Sequence, residues 1–335
     1  MDHASVRRAA LIALAALAAG CGSQSPAAPR HPARPAAGAT AAAAGTATPA
    51  PRPVALHVTG TGRLPAPVQL PAMTAAGTSA LAIGGLDSAD ASLTDVVRID
   101  GRRARVVGHL PSPLHDAAAT TVGGRTLFIG GGQSEVGSAA IDRVTRAGTV
   151  TPVGQLPSGA SDVEAATIGG TAYVVGGFSG TTPLSTIVAV RPGAQPRIAG
   201  RLPRPLRYAA VAAVGGRLLI AGGTSGVTAR REVLRFDPAT GVTTRLGELP
   251  RATTHAAGAS LGGRFYVLGG RGGSLTSQRA AILAVDPRTG RVTHAGRLPA
   301  ALSDAGAASF AGHVTLAGGR DAAGTVHDEV WILAN

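Results

Sequence analysis

An all-β propeller of six blades, each of four antiparallel strands, is the fold class that the sequence predicts, on three observations. Gly-Gly doublets begin at Gly84, Gly130, Gly176, Gly222, Gly269 and Gly318, and the glycines of a Gly-x-Leu-Pro motif fall at Gly62, Gly108, Gly154, Gly200, Gly247 and Gly296. Both series advance by 46, 46, 46, 47 and 49 residues, so one repeated unit fills almost everything after residue 53. Within each unit, short runs rich in Val, Leu and Ile are bounded by glycine, which marks strands and not helices. Four strands in about 45 to 50 residues is the period of a propeller blade.

The elements of one unit follow in order. A small, apolar first strand is expected at residues 117–122, 165–168, 209–214, 256–261 and 305–310. A second glycine pair ends it, Gly123-Gly124, Gly169-Gly170, Gly215-Gly216 or Gly262-Gly263, with Ala311-Gly312 in the last unit. That is a hairpin signature. The second strand, at 125–129, 171–175, 217–221, 264–268 and 313–317, runs to the Gly-Gly doublet. After a looser loop comes a third strand such as 232–236 or 281–285. It ends in Asp237-Pro238-Ala239-Thr240-Gly241 or Asp286-Pro287-Arg288-Thr289-Gly290, where proline fixes φ and glycine takes the positive-φ place. A fourth strand leads into Gly-x-Leu-Pro. The glycines are expected to relieve crowding where strands converge on the axis. They are not expected to cradle phosphate, because a dinucleotide fingerprint needs a following helix.

The last unit stops just after a third strand containing Val330-Trp331-Ile332-Leu333, while residues 53–60 form a fourth strand with no blade of its own. Joining the two closes the ring and removes an open edge.

Gly-Gly closing the second strand, a near-equivalent pair before it and Leu-Pro ahead of the next blade make residues 54–335 similar to the kelch repeat. The resemblance implies a propeller whose functional face carries the loops after second strands and between blades. Kelch blades usually also carry a Tyr after the third strand and a Trp at the start of the fourth; here only Trp331 is present. With 3% aromatic residues, packing between blades is expected to rest on branched aliphatics and alanine.

Ahead of the propeller, Arg7-Arg8 precede an apolar stretch from Ala9 to Ala19, too short to span a bilayer, so residues 1–20 are expected to be a secretory signal. Leu17-Ala18-Ala19-Gly20-Cys21 resembles a bacterial lipobox, which implies lipidation of Cys21, the single cysteine of the chain, and anchorage to the cell membrane with the propeller outside the cytoplasm. Residues 21–53 are rich in Ala, Pro and Thr without an acidic side chain, and are expected to be a disordered tether.

All 31 basic residues are arginine, and the propeller retains about +9 of the net charge of +13. That charge favours anionic partners such as lipid or acidic glycan. The arginines are scattered without stacking aromatics, which argues against nucleic acid. Closure of the ring makes a monomer the simplest expectation.

Five residues beyond each Leu-Pro proline lies a position at the mouth of the innermost strand: Asp116, Asp162, Tyr208, His255 and Asp304, with Leu70 in the first unit. His115 and Arg207 directly precede two of these, and Arg271 and Arg320 follow their Gly-Gly doublets toward the same face. Blade symmetry is expected to gather these residues at one axial opening, as a ligand-binding mouth or as short polar groups that satisfy strand ends. Three aspartates are also a conceivable oxygen cage for calcium if blade spacing lets them meet, and Asp116 or Asp162 with His255 a conceivable acid–base pair. No catalytic residue, metal ligand or cofactor is assigned. The function expected is a ligand- or protein-binding module for an unidentified protein or glycan. The alternatives are an enzyme of the sialic-acid mutarotase type, by fold analogy alone, and a structural scaffold without a small ligand. Copper chemistry of the galactose-oxidase kind is excluded, because it requires a cysteine within the propeller.

Overall fold

The computed structural model describes residues 55–133 and 137–335. The expected signal peptide, Cys21 and the expected tether lie outside the described residues. Within them, every regular element is a β-strand, and the fold is an all-β, propeller-like array of four-stranded antiparallel blades.

Four sheets stand alone among the described residues, spanning 115–155, 164–201, 210–248 and 257–302. In the first, His115–Val122, Arg125–Gly132, Ala140–Val144 and Val150–Gln155 pair in chain order. Apart from one two-stranded hairpin, the remaining strands form one eight-stranded sheet with two antiparallel halves. One half holds Ala72–Ala76, Ser79–Ile83, Asp95–Asp100 and Arg103–His109; the other holds Gly306–Phe310, His313–Ala317, Glu329–Ala334 and the N-terminal His57–Arg63. This last strand pairs antiparallel with the final one, from His57 opposite Ala334 to Arg63 opposite Glu329. A single parallel pair, Arg63 with Arg103, joins the halves. The first and last units are thereby continuous, because their outer strands meet at that one point.

The innermost strands, beginning at Ala72, His115, Glu164, Ala210, Ala257 and Gly306, touch one another in cyclic order around one axis. The core divides accordingly into clusters between neighbouring blades. Val122, Ile129 and Ile141 meet Val174 and Val190 in one, and Val175 and Ile187 meet Leu218 and Ile220 in the next. Aromatics reinforce individual seams: Tyr173 sets its ring edge-on to Phe236 at 5.7 Å, and Trp331 packs with Tyr266 in the cluster that binds the last blade. Aliphatics and alanine fill the rest, and each fully buried Leu or Ile contributes about 2 kcal/mol.

The two glycine pairs of a unit have different causes. At the hairpin, Gly123 and Gly124 have φ of 56° and 76°, and a Cβ on either would meet nothing within 4 Å. Turn geometry alone requires them. At Gly130, φ is 71° and a Cβ would lie 2.4 Å from the Ala160 carbonyl oxygen of the next blade, the same oxygen that accepts the Gly131 N–H at 2.9 Å. Crowding between blades thus explains the second doublet but not the first. Two further details differ from the sequence reading. The N-terminal strand starts at His57 and runs to Arg63, and the loop after Arg217–Ala221 contains a miniature hairpin of Thr224–Ser225 with Thr228–Ala229.

Candidate functional site at the axial mouth

The leucine of each Leu-Pro pair is buried, which anchors the chain as it turns inward toward the axis. Five residues past the proline, Leu70, Asp116, Asp162, Tyr208, His255 and Asp304 all adopt left-handed backbone, with φ between 52° and 63°. At four of them the turn aims the N–H along the ring. Tyr208 donates to the Asp162 carbonyl at 3.3 Å, His255 to Tyr208 at 3.1 Å, Asp304 to His255 at 3.0 Å and Leu70 to Asp304 at 2.7 Å. The result is a main-chain annulus with side chains around an axial cavity of about 60 Å³.

The side chains form one polar network. Arg207 Nε donates to Asp162 Oδ2 in an ion pair whose carboxylate is 3% exposed. Arg207 Nη2 donates to the Tyr208 hydroxyl at 3.4 Å, and that hydroxyl donates to Asp116 Oδ2 at 3.2 Å. The Tyr208 ring stacks on His255 at 3.8 Å with 22° between planes. Arg271 Nη2 donates to His255 Nε2 at 3.2 Å. Because arginine only donates, the proton of His255 sits on Nδ1 and is given to Thr254 Oγ1 at 2.9 Å. Asp304 accepts from the Ser303 hydroxyl.

Burial sets the charge states. It lowers His255 to about 2, assisted by the Arg271 and Arg207 charges, so the imidazole is neutral. Burial, then the adjacent Asp162 charge, pushes Asp116 well above the usual carboxylate range. Asp116 Oδ1 is buried without a hydrogen-bond partner. Burial also raises Asp304, against the opposing effects of Ser303 and the Arg271 and Arg320 charges.

Not every expected residue joins this network. His115 is half-buried at its edge, bonded through Nδ1 to Ser92 Oγ at 2.8 Å and 3.7 Å from Asp116. Arg320 turns outward to the exposed Asp90 at 3.5 Å. The aspartates make no cation cage: no group of three or more His, Cys, Asp or Glu side chains among the described residues is arranged to hold a metal.

One residue was missed. Glu164, two places after Asp162 and the first residue of its innermost strand, lines the same axial cavity. Its side chain is accessible by area because the cavity admits water, yet protein surrounds it, and this enclosure raises it to about 8. The counterpart positions hold Ala72, Ala118, Ala210, Ala257 and Gly306. A glutamate in that small-residue series was the available signal.

Outside the annulus, a cavity of about 320 Å³ is lined by Tyr208, Thr254, His255, Arg271, Val227 and Leu275. Its rim is apolar and open, with Val227 96% and Leu275 68% exposed. Its floor holds a buried donor without a partner, Arg271 Nε.

A kelch motif matches residues 205–242, which contain the Arg207-Tyr208 pair and the first three strands of that blade. Among solved structures, that of YjhT is similar with a TM-score of 0.71 and 15% identity over 82% of this chain and 96% of that one. At this identity the likeness is one of fold. Comparison with curated proteins finds no match.

Proposed function

We propose that this kelch-repeat β-propeller is a six-bladed ligand-binding module, counting the eight-stranded sheet as two blades, and that its ligand docks at the axial mouth. The observation that carries this reading is the 320 Å³ cavity beside the annulus, where the unpartnered Arg271 Nε and the Tyr208–His255 stack lie between the exposed Val227 and Leu275. Polar groups that converge at the base of an apolar-rimmed concavity are the usual composition of a small-ligand site. A sugar, with hydroxyl edges and an apolar face, or a short peptide fits that composition. In the same reading, residues 1–20 direct export, lipidated Cys21 holds the protein to the membrane, and residues 21–53 let a monomeric propeller stand clear of it.

Thermal unfolding of the full chain against neutral sugars, acidic glycans and peptides tests the site. A ligand at one hundred times its dissociation constant adds about 2.7 kcal/mol, and Arg271→Ala or Asp116→Asn should abolish that gain. No shift with any of them would favour a scaffold without a small ligand. Cys21→Ser should move the protein from the membrane to the soluble fraction; unchanged fractionation would remove the anchor.

A second reading, an epimerase of the sialic-acid mutarotase type, draws on Glu164. A carboxyl near 8 on the cavity wall can exchange a proton at neutral pH. Glu164→Gln should then abolish turnover of a bound sugar while leaving its binding intact.

A further inference from the structure

The seams between neighbouring blades are not alike. At five of them the Gly-x-Leu-Pro glycine is pressed against the next unit: a Cβ at Gly62, Gly108, Gly200, Gly247 or Gly296 would lie 2.2–2.5 Å from a backbone oxygen there. At Gly154 no atom of the next unit lies within 4 Å of such a Cβ; its nearest neighbour is Ile141 Cδ1 of its own blade, at 3.8 Å. The reason is local sequence. Where other blades place Gly148, Gly241 or Gly290 within two residues of the outer strand, the blade after Gly154 turns through Arg191-Pro192-Gly193-Ala194-Gln195-Pro196. That turn stands off and leaves a cavity of about 120 Å³.

Three arginines line this cavity, Arg125, Arg143 and Arg191, together with the apolar Leu127, Ile141 and Val190. No acidic side chain lines it. Arg191 Nε is held by Thr171 Oγ1 at 2.8 Å, and Arg143 Nε is buried with no hydrogen-bond partner. None of the three joins a salt bridge among the described residues, although several other arginines of the propeller do. A buried guanidinium donor left unpaired is costly and is normally satisfied by an acceptor. Arginine clusters match planar oxyanions, to which the guanidinium fork gives paired hydrogen bonds. The apolar walls leave room for carbon: an engineered apolar cavity of about 150 Å³ admits benzene.

We propose that this seam binds a small organic oxyanion, a carboxylate on a short apolar stem, with Arg143 as its buried anchor. The site is remote from the axial mouth. Arg125 follows the Gly123-Gly124 hairpin and Arg191 opens the 191–196 turn, both at strand ends opposite the annulus.

Calorimetric titration of the full chain with butyrate, benzoate and inorganic phosphate, at constant ionic strength, tests this. The carboxylates should bind more tightly than phosphate, and Arg143→Gln should weaken them about tenfold or more, as expected for losing a charge-assisted hydrogen bond. Gly154→Val, which extends into open space, should block binding while unfolding stays cooperative. Asp116→Asn at the mouth should change neither. The proposal is overturned if none of the three anions binds, if phosphate binds more tightly than both carboxylates, or if binding survives both Arg143→Gln and Gly154→Val.

Discussion

Each innermost strand begins and ends beside a residue in left-handed backbone, and the chain fills the two places differently. At the hairpin end stand Gly123 and its counterparts, with Ala311 at φ 48° as the exception. At the axial end stand Leu70, Asp116, Asp162, Tyr208, His255 and Asp304, at φ 52° to 63°. A side chain in this conformation costs about 1 kcal/mol or more, least for Asp and most for bulky residues. The hairpins avoid that cost with glycine, whereas the annulus keeps it, even for Tyr208 and His255. Strain that persists where side chains converge marks a place whose surroundings hold it, often for function.

The largest expected effect comes from a third left-handed place, the doublet glycine beside the annulus. Gly130→Ala combines left-handed strain with a Cβ against the Ala160 carbonyl, and should lower stability by about 3 kcal/mol in denaturant titration. A loss no greater than at the hairpin would erase the distinction between the glycine pairs. Next is Asp162→Ala, which leaves Arg207 without its buried partner and should cost about 2 kcal/mol. A negligible cost would mean that the annulus holds its strain without the network.

On the inner strand the expected effect is a pH dependence. Folded Glu164, at about 8, binds a proton that an unfolded glutamate, near 4.3, has released, so its contribution to stability falls as pH rises through that window. Glu164→Gln should therefore match the wild type near pH 4 and exceed it progressively toward pH 8. His255 acts in the opposite sense: lowered to about 2, it makes the unfolded chain take up protons first, so stability is lost on acidifying below about 6.5. Equal profiles for wild type and Glu164→Gln would show that Glu164 is fully hydrated.

The smallest effects belong to the hairpin end and to Leu70. Gly123→Ala, with open space around its Cβ, should cost about 1 kcal/mol. In the reverse direction, Ala311→Gly and Leu70→Gly should each raise stability slightly, by about 0.5 kcal/mol, as strain is released. Destabilisation by Leu70→Gly would show that the annulus selects a side chain there for packing.

Periodicity carried much of this into view. The constant step from each Leu-Pro to Asp116, Asp162, Tyr208, His255 and Asp304 made the annulus legible, because a repeat that stacks around an axis converts equal spacing in sequence into adjacency in space. Glu164 escaped notice because it departs from a series of alanines and a glycine instead of extending a polar one. The pairing of Arg320 with Asp90 was not legible, because a rim loop sets the direction of that side chain without disturbing the repeat. The gap at Gly154 could not be read from a motif that is intact there; it arises in the partner turn, residues 191–196, of the following blade.

By itself, then, the sequence determined the four-stranded unit, hairpin position, the pairing of an N-terminal strand with the last one, and the convergence of Asp116, Asp162, Tyr208, His255 and Asp304, because local propensity and a fixed period specify each of these. Only the tertiary structure decided that burial beside Asp162 raises Asp116, that His255 is neutral, and that one seam of the ring stands open over three arginines. Those properties depend on distances and burial between blades, and the energies of close charges and close backbones change over a few ångströms that no single repeat encodes.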